Sequence, residues 1–156
     1  MLMLISVLFP ILSGLILLLS GIEERKTRER WVIGTAAVTA VLGICAAIGE
    51  HGRSLVMVRF TEAIALTFRA DGLGSVFAVM VSILWVIASF YALEYMKHEG
   101  SETRFFAFFL ASFGVTLGVA FSANIVTMYL FYELLTLATL SNISIPICLP
   151  GPWNPV

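Results

Sequence analysis

Five long apolar runs separated by polar breaks decide what this chain can become. They cover about residues 2–21, 31–48, 73–95, 105–121 and 125–140. Such runs are long enough to cross a hydrocarbon core of about 30 Å with ordinary tilt and flanks. Lipid offers no water to backbone N–H and C=O groups, so an isolated span must be a helix. The chain is 60% hydrophobic and 12% charged, whereas a soluble domain carries about 25% charge. The sequence therefore predicts an all-α membrane protein of five transmembrane helices, with the lipid bilayer as its main surroundings. The first run has no basic leader and no small-residue cleavage site, so it reads as a retained span rather than a signal peptide.

The breaks between spans carry their own information. Residues 50–71 contain two alternating stretches, Leu55–Phe60 and Ala63–Arg69, with Ile64, Leu66 and Phe68 on one face. Period-two alternation predicts a small extracytoplasmic β-hairpin between helices 2 and 3. Two strands alone are marginal in water, so the hairpin should rest on the helices. Arg25, Lys26, Arg28 and Arg30 follow the first span, and Lys97 and Arg104 follow the third. Arg53, Arg59 and Arg69 are spread over the longer second loop. The bias of basic residues toward the cytoplasm then places the N-terminus outside and the end of the fifth span inside. Residues 141–156 hold four of the five prolines. Proline breaks helices, so this predicts an extended, poorly ordered tail.

Several functions are excluded or left without support. A net charge of −1 argues against nucleic acid as a partner, because phosphate binding needs a basic surface. Cys45 and Cys148 are far apart and suggest neither a disulfide framework nor a metal site; Cys45 reads as a small buried hydrophobe. His51 and His98 are isolated loop residues, and His98 near Glu94 and Glu102 makes a poor metal site. No phosphate loop, dinucleotide fingerprint, zinc motif or nucleophile elbow is present. No catalytic residue, cofactor or metal is expected in this chain.

One residue breaks the apolar pattern. Glu133 sits in the middle of the fifth run with no other charge around it. A charge at that depth costs roughly 2.5–3.5 kcal/mol on insertion scales. Intramembrane carboxyls that persist at such cost usually handle ions or protons. A carboxyl removed from water favours its neutral form, and a nearby cation restores the charge. Paired with a movable cation, it is a proton switch. Tyr129 and Thr136 share its helix face and are expected to offer hydroxyls to it. No Lys or Arg reaches mid-membrane within the five spans, so a cationic partner must lie elsewhere. Glu94, near the cytoplasmic end of the third span, is a weaker candidate for proton entry. Asp71 precedes the third span and is expected to cap it. Gly114 and Gly118 form a small-xxx-small pair that permits close helix approach, and Pro10 is expected to be tolerated inside the first span.

The order of segments resembles a known family. Asp71-Gly-Leu-Gly-Ser75 opens a span that Tyr95-Met96 closes. Arg104-Phe-Phe-Ala-Phe-Phe109, Ser122-Ala-Asn-Ile-Val126 and Phe131-Tyr-Glu-Leu-Leu135 follow. Over roughly residues 1–140 this is similar to the N-terminal part of the antiporter-like membrane subunits. These include proton-pumping subunits of respiratory complex I, large subunits of multi-subunit sodium/proton antiporters, and membrane-bound hydrogenase subunits. The resemblance implies two inverted helix repeats, each with a broken helix. It also implies that Glu133 is the glutamate that pairs with a lysine on a later broken helix.

Relative to the family pattern, the proline-rich tail stands where a sixth helix would follow. The expectation is a truncated or frameshifted copy, or one half of a split gene. The function implied is a proton- or cation-translocating subunit, or a fragment of one, within a larger energy-converting complex. Its partners would be other membrane subunits, in a bacterial or archaeal cell membrane. The alternative is a non-transporting structural or assembly subunit, or a non-functional remnant.

Overall fold

The computed structural model describes residues 1–20, 24–50, 52–61, 64–96 and 102–143. The expected tail from 144 onward, with Cys148, and the two histidines lie outside the described residues. The elements run α1 (Leu2–Ser20), α2 (Arg25–Gly49), β1 (Ser54–Thr61), β2 (Ile64–Arg69), α3 (Gly72–Tyr95), α4 (Glu102–Ala120) and α5 (Ile125–Ile143). Five helices and a hairpin between the second and third match the sequence expectation. α1 to α4 are long and apolar enough to cross a membrane, and α5 contributes a shorter apolar stretch, Ile125–Leu140.

Two helix ends differ from expectation, and both show that hydropathy marks where lipid ends rather than where a helix ends. α2 starts at Arg25, six residues before Trp31. Its charged first turns are held by local pairs. Arg25 Nε donates to Glu29 at 2.7 Å, and the Thr27 hydroxyl donates to Glu24 at 2.6 Å. Arg28 is buried and donates to the Thr103 hydroxyl at the start of α4, 3.2 Å away. At the other end of the chain, α5 continues through Ile143, into the segment expected to be non-helical. Cys45 corrects a third expectation: it lies on α2 but is exposed, on a face that a small hydrophobe covers only with lipid.

The helices approach one another most closely at glycines. α1 packs along α4. A Cβ on Gly14 would lie 2.5 Å from the Ala107 carbonyl oxygen, and one on Gly114 would overlap the Val7 carbonyl. Pro10 stays within α1 and packs on the same Gly114. Gly43 of α2 meets Ser82 of α3 in the same way, at 2.8 Å. Gly118 faces the Phe131 ring of α5. The expected small-residue pair therefore serves two neighbours, Gly114 for α1 and Gly118 for α5. The core has two parts. Met3, Val7, Phe113, Leu117, Phe121, Phe68 and Phe131 fill one end, and Leu17, Val32, Phe106 and Leu110 fill the other.

The first end is also where the polar clasps lie. Asp71 caps α3 as expected, its carboxylate accepting from the Gly74 N–H at 2.6 Å. Gly52, at φ 77°, makes the left-handed turn from α2 toward β1, a conformation glycine adopts without penalty. Glu50 reaches across to the start of α1. It accepts from the Met1 ammonium at 2.6 Å and from the backbone N–H groups of Leu2 and Met3 at 3.2 and 3.1 Å. Burial opposes ionisation of Glu50, but these hydrogen bonds outweigh it and hold the carboxyl below its usual range. Such a group stabilises the fold above the ordinary carboxyl pKa, and that contribution fades as pH falls through its depressed value. Glu50→Gln is thus expected to cost about 1 kcal/mol at neutral pH, the scale of a lost helix cap. In detergent unfolding the gap between variant and parent should narrow as pH falls below the ordinary carboxyl range. A gap independent of pH would mean that the carboxylate charge contributes nothing.

The hairpin is antiparallel, pairing Ser54 with Arg69 through Thr61 with Ile64, with irregularities at Val56/Val58 and Arg59/Thr61. Leu66 and Phe68 are buried, as the alternation predicts; the Ile64 side chain lies outside the described set. The free edge of β2 joins the α4–α5 turn. Arg69 N donates to Phe121 O, and Ala123 N donates to Thr67 O, both at 2.8 Å.

Candidate functional site on the fifth helix

α5 begins with a built cap. The Asn124 side chain accepts from the Thr127 N–H at 2.8 Å and from the Thr127 hydroxyl at 2.6 Å. That hydroxyl oxygen in turn accepts from the Thr67 N–H of β2 at 3.1 Å. One turn further, Phe131 fills the space beside Gly118, and its ring lies 5.5 Å from that of Phe68 at 60°. Among the described side chains of this helix, Thr127 and Phe131 are buried, and Leu135 continues their stripe. The stripe follows helical spacing and fixes the rotation of α5 against α4.

That rotation turns Glu133 to the opposite face. Glu133 is exposed in this chain, with Tyr129, Tyr132, Leu137 and Leu140 exposed beside it. Tyr129 lies one turn before Glu133 on this exposed face, close enough for its hydroxyl to interact with the carboxyl. The Thr136 hydroxyl instead donates to the Glu133 backbone carbonyl at 2.7 Å. A threonine in a helix commonly bonds backward to the preceding turn in this way. Glu94 is exposed near the end of α3, a helix that does not pack along α5, so the structure does not bring the two glutamates together. Among the described residues, no three His, Cys, Asp or Glu side chains cluster in a way that could hold a metal ion.

Several known proteins are similar to this chain. The family model described as NADH-ubiquinone oxidoreductase (complex I), chain 5 N-terminus, matches residues 60–106. A probable K⁺/H⁺ antiporter protein of Rhizobium meliloti is 28% identical over 140 residues, covering 86% of this chain and 14% of that protein. The chain is similar to the N-terminal part of the antiporter-like membrane subunits. A putative antiporter subunit of Staphylococcus haemolyticus is 38% identical over 80 residues, 51% of this chain and 10% of the relative. The chloroplastic NAD(P)H-quinone oxidoreductase subunit 5 of Manihot esculenta is 24% identical over 135 residues, 80% of this chain and 18% of the relative. The chain thus spans less than a fifth of the length of each of these relatives. The matching family segment covers the hairpin turn, α3 and the start of α4 and stops short of Glu133.

Sequence reasoning missed three residues that position α5: Asn124, Thr127 and Thr67. Asn124 carries a readable signal, a capping residue directly before an apolar run. Thr127 and Thr67 carry none, because their contact joins residues 60 apart in the chain.

Proposed function

We propose that this chain supplies the first helices of a proton- or cation-translocating antiporter-type subunit in a larger membrane complex, with Glu133 as a proton-handling group. One observation carries the reading. A single carboxyl stands at mid-helix on a face of α5 that also presents Tyr129 and Tyr132 and that no other described element covers. A lipid-facing surface has no use for such a stripe, since a charge there is costly and polar groups in spans face protein or water-filled interiors. The names of the relatives support the same chemistry, and the clustering of basic residues beyond α1 and α3 supports a cytoplasmic location for those ends.

In this reading the exposed face of α5 is covered, in the assembled complex, by an element that brings a cation near Glu133. Approach of the cation favours the carboxylate and releases a proton; withdrawal favours rebinding. Tyr129 orients the carboxyl, and Thr136 is a backbone-bonded packing residue. The test is ion-coupled transport by membranes carrying the assembled complex with Glu133→Gln. Gln keeps the size and hydrogen bonding but cannot ionise, so coupled transport should disappear while the complex still assembles. Undiminished transport would overturn the proposal and leave a packing role.

A further inference from the structure

Outside the Glu133 site, α1 and α2 enclose an open groove of about 520 Å³, lined by Phe9, Leu12, Ile16, Trp31, Gly34 and Val38. Its walls are apolar and outward-facing, with Leu12 54% and Ile16 51% exposed. Its floor holds Ser13 and Thr35, which are buried and satisfy one another. Their hydroxyls are 2.8 Å apart, and Trp31 Nε1 donates to Ser13 Oγ at 2.9 Å. An apolar occupant can therefore lie over the floor without stranding a polar group. The two lining stretches, Phe9–Ile16 and Val38 back to Trp31, each run about 10 Å along their helix at 1.5 Å per residue. That suits part of an extended hydrocarbon chain.

The mouth of the groove is charged. Arg30 lies one turn before Gly34 on the same face of α2, and Lys26 lies one turn before Arg30. Both are exposed. Arg30 Nε donates back to the Lys26 carbonyl at 3.3 Å, which leans the guanidinium away from the apolar walls and toward the helix start. Among the described residues, the neighbouring acids have partners of their own: Glu29 with Arg25 and Glu24 with Thr27. Trp31, the amphipathic ring between the basic mouth and the apolar slot, is of the type that sits at a membrane–water interface. We propose that this groove seats one acyl chain of an anionic phospholipid, whose phosphate is held by Arg30 and Lys26.

A built-in control exists. A Cβ on Gly34 would meet nothing within 4 Å, so Gly34→Leu fills the slot without disturbing the helix pair. The full chain is placed in phosphatidylcholine vesicles containing a trace of either phosphatidylglycerol or phosphatidylcholine with a diazirine in one acyl chain. Cross-linked peptides are then mapped. Labelling at Ile83 and Ile87, exposed on α3, reports insertion and serves as the internal standard. Phosphatidylglycerol should label the groove residues well above phosphatidylcholine. Arg30→Gln and Lys26→Gln should each reduce that preference by about fivefold, the scale of one basic residue at an anionic surface. Gly34→Leu should remove groove labelling while the α3 standard persists. Equal labelling by both lipids, or labelling indifferent to Gly34→Leu, would overturn the proposal. So would a groove that neither lipid reaches, which would mean that protein occupies it.

Discussion

Gly118→Leu is expected to detach α5 from the bundle. A Cβ at that position already overlaps the Phe131 ring, and the ring has little room to retreat because Phe68 stands 5.5 Å behind it. Overpacking of this kind costs roughly 1–3 kcal/mol. Removing the ring instead, by Phe131→Ala, should cost about 3–5 kcal/mol. The two changes occupy one space, so the double variant should be less damaged than the sum of the singles. Thermal unfolding in detergent reads all three. Strict additivity would show that the glycine and the ring do not share the contact on which the placement of Glu133 rests.

The second large effect concerns insertion rather than packing. Glu133→Leu should make α5 a better span by roughly 3 kcal/mol, the gap between a mid-membrane acid and leucine on insertion scales. Glycosylation mapping of α5 in a translocon assay measures it. The same variant should lose ion coupling in the assembled complex. A change that improves membrane residence yet abolishes activity identifies a residue kept against its own solvation cost. Equal insertion of the Glu and Leu forms would mean that the carboxyl already escapes the lipid core in the lone chain, and the argument from cost would fail.

Much of this architecture was legible because lipid simplifies the rules. Apolar length specified the helices, alternation specified the hairpin, and Asp71 before Gly72 specified a cap. Charge patterning was less legible. The Arg25–Arg30 block looks like a loop until one sees that Arg25–Glu29 pairing and the buried Arg28 extend α2 beyond the lipid. Glu50 gave no local sign, because its partners are the N–H groups of a helix almost fifty residues earlier in the chain. Glu133 itself stood out at once, but its rotation did not. That depends on Phe131 fitting beside Gly118, a fact of shape that no composition rule contains. Thr136 failed as a carboxyl partner because the backbone of its own helix offered a nearer acceptor.

The edge of β2 is stitched to Phe121 and Ala123 and, through Thr67, to Thr127 of α5. The hairpin and the head of the fifth helix are therefore mechanically one part. A binder that grips the hairpin would hold a handle on Glu133's helix, fewer than two turns from the carboxyl.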